Sequence, residues 1–555
     1  MGIIRPPGGI LRCLSDLLRP VASRWRDLAL PLVAAFGALV VRLSAPGRGI
    51  DSLYDEGNVA GAAWRVLRGQ VPYVDFWHLH PPGTTWLVAG CFRLFGTSIA
   101  VERGLDAVVF AASAGLVCAL ARVRSGRVAA FAAAGLFALS PCQTTALRPR
   151  DLGLLFVLAG FGACLVFFDR PARPGWLVAA GALVGASAWF KQDFAAVAVV
   201  AMLVAVLART EARREERAKS GFVLAASALA AFLPVPAVLF LQGALGEAWR
   251  QAVVFPATRF ESVRGLSVAV FGTHAGVLAS RGAPGREILV AATPIVVYAV
   301  VMAMILSTLD LLRRRDSRAS VALFGLGLLG IFLTARVRAD AEHLLPPFAL
   351  GLVLLAWWVD APATHPLGRR AVGAACACLL VLLAAAAGPP NPSSVPPAGV
   401  EEAFRTRARG LTGPDSDFLL AAGDVASRTR EGEAVFCGNS RHDVTSMNPA
   451  LFYFAAGRPN ATRYDNLHPG VVTTGEVQRE IAFDLEAKRV RVVVLWREPG
   501  IAEMKAASPG GADALDAYLH LAFVPVQAYG RYEVRVRGEG QAALRDASPS
   551  AALPK

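Results

Sequence analysis

Charge is scarce in this chain. Only 18% of its residues are Asp, Glu, Lys or Arg, whereas 55% are hydrophobic; a soluble globular chain carries about 25% charged residues. That shortage, with a mean hydropathy of +0.47, excludes a soluble enzyme and a disordered protein. Cysteine gives no framework either. There are eight in 555 residues and no CxxC pair, so neither a zinc site nor a disulfide-stapled secreted domain is indicated. No Walker or GxGxxG motif occurs in residues 401–555, and no convincing internal repeat stands out.

What is present is a series of apolar blocks of membrane-crossing length over the first 390 or so residues. They run near 28–41, 82–97, 104–121, 128–147, 152–168, 176–190, 194–208, 221–243, 287–309, 320–335, 343–359 and 371–388. The formal net charge of +14 belongs to this apolar part and not to the C-terminal residues. Residues 401–555 hold 19 Lys+Arg and 20 Asp+Glu, leaving 37 and 22 in residues 1–400. A basic excess confined to the apolar part speaks for loop orientation, not for nucleic acid, and no basic stripe with interleaved aromatics occurs.

Arg5, Arg12, Arg19, Arg24 and Arg26 precede the first block, which places the N-terminus in the cytoplasm. The clusters Arg122/Arg124/Arg127, Arg170/Arg173, Arg209 to Lys219, Arg313 to Arg318 and Arg369/Arg370 then mark the same face. Twelve crossings would put several of these clusters outside. Block 82–97 is short, begins at Pro82-Gly83 and contains Arg93; with 82–121 crossing once, all the clusters fall inside. The expectation is eleven spans and an outer C-terminus. Domains are then a cytoplasmic segment 1–27, a membrane domain 28–388, a Pro-rich linker 389–400 and an extracytoplasmic α/β domain 401–555. In that last domain Glu433–Cys437 and Arg489–Trp496 read as strands, Glu476–Lys488 as a helix and Phe523–Val536 as a hairpin turning near Gly530. Asn460-Ala-Thr462 is a formal glycosylation sequon.

This topology gathers the remaining ionisable residues on the outer face. They are Asp55-Glu56, His78 and His80, Arg148-Pro-Arg150-Asp151, Lys191-Gln-Asp193, the loop 244–286, Arg336-Val-Arg338-Ala-Asp340 and His343. Lys191 lies between two apolar runs, where an ionisable group is costly and usually functional.

The layout resembles the membrane-embedded GT-C glycosyltransferases, near the aminoarabinose lipid A transferases, Rgt-type enzymes and protein O-mannosyltransferases. The residues that carry the resemblance are Asp55-Glu56 after the first span, His80-Pro81-Pro82 at the next segment and Arg148-Pro-Arg150-Asp151. The Gly-rich stretch Gly181 to Lys191 and the run Arg338 to Pro346 complete it. The resemblance implies a mainly α, polytopic bundle of GT-C type. It also implies transfer of a sugar, with inversion, from a polyprenyl-phosphate donor to a lipid, glycan or protein acceptor outside the inner membrane. Asp55 would be the general base, with Glu56 orienting the loop or the acceptor and Asp151 as second acid. Lys191, Arg148, Arg150, Arg336, Arg338, His343 and His80 would meet the leaving phosphate. No metal cluster and no cofactor is expected, although a divalent metal stays open. The other reading is a transporter or flippase of a lipid-linked or anionic substrate. It predicts a cavity open to both faces, where a transferase needs one outward cavity beside lipid.

Overall fold

The computed structural model describes residues 28–43, 53–140, 147–209, 212–259, 305, 308–312, 318–335, 343–361, 407, 416–443, 448–468, 470–497 and 512–538. The first part is a helical bundle. Its helices are α1 (Leu28–Leu43), α2 (Leu53–Leu67), α3 (Gly83–Phe95), α4 (Ile99–Arg122), α5 (Arg127–Ala138), α6 (Pro149–Asp169), α7 (Gly175–Ser187), α8 (Gln192–Leu207), α9 (Arg214–Phe232) and α10 (Pro234–Leu241). Two later ones, α13 (Arg318–Ala335) and α14 (Leu345–Val359), pack back into it. Between α10 and α13 lie short helices α11 (Leu245–Trp249) and α12 (Phe255–Thr258), joined by a π-turn at Arg250–Val254. Residues 245–258 are therefore helical, not part of an open loop 244–286.

Among the described residues three helical stretches are long and apolar enough to cross a membrane: Ile99–Arg122, Pro149–Asp169 and Arg214–Leu241. Shorter apolar helices fall on six more of the expected blocks. Helix α3 has 13 residues, about 20 Å at 1.5 Å per residue, short of a ~30 Å hydrocarbon core. One apolar core, including Phe110, Phe137, Phe161, Met202, Phe324 and Trp357, joins α4 to α8 with α13 and α14. Exposed Phe222, Phe232, Phe240 and Leu241 face outward, as lipid-facing positions do. The linker 389–400, Arg336, Arg338, blocks 287–309 (nearly all) and 371–388 and the N-terminal segment lie outside the described residues.

The C-terminal part forms a four-stranded sheet in the order β1-β2-β4-β3. Its strands are β1 (Phe436–Asn439), β2 (Val492–Trp496), β3 (Phe523–Tyr529) and β4 (Tyr532–Arg537). The pair β1–β2 is parallel, and β4 runs antiparallel to both β2 and β3. The continuous apolar run of β2 is buried, as expected of a central strand with a parallel neighbour. Helices α15 (Ser416–Arg428), α16 (Leu451–Ala456), α17 (Gly475–Ala487) and α18 (Ala514–Ala522) complete the unit. Its sequon is folded in: Asn460 Oδ1 accepts the Thr462 N–H at 2.9 Å, its Nδ2 is buried, and Thr462 is 2% exposed.

Candidate active site

Helix α2 opens with Asp55 and Glu56 in its first turn and ends with Arg65 in its last, the charge order a helix dipole favours. The two acids have different surroundings. Glu56 is 1% exposed and takes Arg103 of α4 in a two-bond clasp, at 2.5 Å (Nε to Oε1) and 3.0 Å (Nη2 to Oε2). Breaking such a buried pair costs roughly 3–5 kcal/mol. Asp55 is 39% exposed and stands 2.9 Å from Nη2 of the buried Arg148. Glu56 thus anchors the helix while Asp55 faces open space.

Arg148 precedes α6. Pro149 begins that helix, and the Asp151 carboxylate accepts the Arg148 N–H at 3.0 Å, a capping arrangement. Arg148 is thereby aimed back at α2. Arg150 and Asp151 pair with each other at 3.4 Å. They turn into a cavity of about 10 Å³ shared with Arg42, Asp106 and Ser113, room for one water. Asp151 is therefore a cap for α6 and a partner for Arg150.

The segment Pro81-Pro82-Gly83 abuts the connection between α7 and α8. Gly83 donates its N–H to the Trp189 carbonyl at 2.8 Å, and a Cβ at Gly83 would lie 2.4 Å from that oxygen. Only glycine allows this approach. It brings His80 beside Lys191, which occupies the N-cap position of α8. Lys191 Nζ lies 3.2 Å from Asp193 Oδ1 and 5.7 Å from the Phe194 ring centre, with the side chain 24% exposed. Burial, then the charge of Lys191, holds the His80 imidazole well below its usual range; Asp55 pulls the other way, and His78 and His343 also act on it. His80 is thus neutral at neutral pH. Burial likewise pushes His78 down to about 4.

Asp55 with Arg148, and His80 with Lys191, Asp55 and His343, are thus linked in one neighbourhood, to which Asp151 is joined through the Arg148 N–H. The residues that sequence reading missed lie on α4. Glu102 is fully buried and accepts the Leu147 N–H at 3.2 Å. Arg103 holds Glu56, and Asp106 holds Arg42 Nε at 2.6 Å. Three ionisable residues within five positions of a membrane-length helix were the available signal. Among the described residues no three His, Cys, Asp or Glu side chains converge on a metal position.

The sequence model of the dolichyl-phosphate-mannose-protein mannosyltransferase family matches residues 79–239. That stretch includes His80, Arg148, Asp151 and Lys191. No curated protein matches the chain. Among solved structures, the Archaeoglobus fulgidus oligosaccharyltransferase in complex with Zn and sulfate is similar, at 14% identity and a TM-score of 0.51. The match covers 84% of this chain and 68% of that one. ArnT from Cupriavidus metallidurans bound to undecaprenyl phosphate is similar at 15% identity and a TM-score of 0.50, over 93% of this chain and 99% of that one. Its apo state gives the same identity and score. With the bundle, the Asp55–Arg148 pair and the His80–Lys191 junction in place, the chain shares the fold of these solved structures, and its residues 79–239 carry the sequence pattern of the dolichyl-phosphate-mannose-protein mannosyltransferase family.

Proposed function

We propose that this chain is a membrane glycosyltransferase that moves a sugar from a polyprenyl-phosphate donor to a hydroxyl on an acceptor outside the cytoplasm. One observation carries the reading: a part-exposed carboxylate, Asp55, pairs with buried Arg148 and lies close enough to His80 for its charge, like that of Lys191, to act on the imidazole. The ArnT relative bound to undecaprenyl phosphate and the family match over this region support the donor class.

In this mechanism Asp55 is the general base. At neutral pH it is a carboxylate, a proton acceptor only. It takes the acceptor hydroxyl proton as that oxygen attacks the anomeric carbon. The bond from that carbon to the phosphate oxygen breaks, and the configuration inverts. Charge grows on the leaving phosphate, and Lys191, with Asp193 beside it, is placed to meet it. Neutral His80 donates a hydrogen bond there instead of a charge. Arg148 is shared: it orients Asp55 and lies within reach of the same region. Arg336, Arg338 and His343 are proposed to complete the phosphate side. Glu56 orients Asp55 through its clasp with Arg103.

The test uses purified full-length protein with undecaprenyl-phosphate sugars as donors. Asp55→Asn is expected to lower transfer about 10²–10⁴-fold while inserting normally; near-normal transfer in that variant removes the base assignment. The acceptor class, whether lipid, polysaccharide or protein, is identified by mass analysis of envelope glycans from cells lacking the chain.

A further inference from the structure

The C-terminal unit is fastened to the helix that carries Asp55. At Gly57, two residues past the proposed base, a Cβ would lie 2.0 Å from the Leu451 nitrogen and 2.5 Å from the Ala450 carbonyl carbon. Both obstacles are main chain at the start of α16, so no side-chain rotation relieves them. Farther along α2, Trp64 meets the Phe454 ring edge-on at 6.3 Å, and Phe92 of α3 stacks on the same ring at 5.5 Å. Arg65 reaches Asp465 at 2.8 Å and the Thr462 carbonyl at 3.3 Å. The loop that leads to His80 is held in the same way: Arg463 donates to the Tyr73 carbonyl at 2.8 Å, and Trp77 N–H donates to the Arg463 carbonyl at 2.9 Å. The apolar side chains are continuous across this seam, with Val59, Ala60 and Ala63 in one cluster with Leu451, Phe454, Val492 and Val534.

Helix α2 is therefore clamped from two sides, by Arg103 of α4 at Glu56 and by α16 at Gly57. Asp55 sits at the end that both contacts fix. A lid laid over a finished site would need none of this, since it could close on loops alone.

We propose that the C-terminal unit is a positioning element of the active site: by its main-chain contact at Gly57 it sets where Asp55 stands relative to Arg148 and Lys191. This rests on Asp55 being the base. Gly57 itself touches no substrate and is a positioning residue.

The experiment compares the full-length chain with Gly57→Ala and with Phe454→Leu, which loosens the seam without inserting a clash. Transfer kinetics with an undecaprenyl-phosphate sugar are read beside amide hydrogen exchange. The expected result for Gly57→Ala is a kcat lower by about tenfold or more, since small misplacements of reacting groups cost that much. The donor KM should change less than twofold, because Lys191 stands on the α7–α8 connection. Amide protection should fall in residues 53–67 and 451–456 and hold in 192–207. Phe454→Leu should move kcat and exchange in the same direction by less. Wild-type kcat in Gly57→Ala overturns the proposal. So does a loss shown by either variant in which exchange of 53–67 is unchanged, or in which KM rises as much as kcat falls. Failure of the wild-type chain to transfer sugar from any such donor instead overturns the glycosyltransferase reading, and the base role of Gly57's neighbour with it.

Discussion

At the scale of single residues, the two acids of α2 show how environment divides labour. Their adjacency was visible in the sequence, and so was their place after the first apolar block. Which of them faces outward was not. That is decided by Arg103, 47 positions from Glu56, and by Arg148 beside Asp55. Pairings over such separations leave no local pattern. Lys191 gives the next prediction. Replacing it with alanine removes the cation nearest His80, and kcat/KM for the polyprenyl-phosphate donor should fall about 10²-fold, the usual cost of losing one preorganised charge-stabilising group. His80→Ala should cost less, because a neutral imidazole contributes one hydrogen bond. Equal losses for the two variants would contradict the neutral assignment. His78 gives a pH prediction. Its folded-state value is about 4, against about 6.5 in an unfolded chain. Between these values the unfolded state binds more protons, so stability is full above the unfolded value and is lost as pH falls towards 4. The melting temperature of the solubilised protein should decline over that window. His78→Gln should flatten part of the slope, the rest belonging to His80, which is shifted in the same direction. An unchanged slope in His78→Gln would show that burial of this imidazole has no part in it.

At the scale of elements, long apolar helices and the four strands were legible because their periods repeat over enough residues. Two local features were not. The stretch 245–258 is built from helices of five and four residues around a π-turn, too short for periodicity to register. The sequence puts Lys191 between two apolar runs without showing which helix it belongs to; α7 stops at Ser187, and Lys191 is the N-cap position of α8. Both matter for the site. The π-turn carries buried Gln251, which donates to the Tyr73 carbonyl at 3.0 Å and accepts the His78 N–H at 3.0 Å; π-turns recur at functional sites. Tyr73 holds a φ of +72°, strained for a residue with a Cβ and kept only where surrounding bonds enforce it. Its hydroxyl donates to the His80 carbonyl at 2.5 Å. Tyr73→Phe deletes that bond and little else, so it should raise the donor KM about fivefold, the worth of roughly 1 kcal/mol, at nearly constant melting temperature. Gln251→Ala removes two contacts to the same loop and should act in the same direction and more strongly. A drop in melting temperature with donor KM unchanged would assign Tyr73 to folding alone.

At the scale of the whole molecule, the expected topology would divide the net charge of +14 into inside-facing anchors and a nearly balanced outer set, and this division depends on the number of crossings. From the Arg170/Arg173 cluster to the C-terminal unit the expected blocks are 176–190, 194–208, 221–243, 287–309, 320–335, 343–359 and 371–388. Seven crossings is an odd number, so the two regions must face opposite sides. The shared fold by itself does not fix that parity, because the later blocks are partly outside the described residues. Cysteine labelling does. Ala172 and Ala487 are both exposed and lie in these two regions. In intact cells, with the parent chain as blank, Ala487→Cys should react with a membrane-impermeant thiol reagent, and Ala172→Cys should react only after permeabilisation. The reverse pattern would invert the chain and move Asp55 and Lys191 to the cytoplasmic side, where a donor presented on the outer face could not reach them. Equal reactivity would mean an even number of crossings between the two positions, so that one of the seven blocks lies within the protein without spanning. The C-terminal unit would then share a face with the arginines at 170 and 173, which its contact with α2 forbids as long as Asp55 lies outside; the labelling pattern therefore tests the position of the site together with the number of spans.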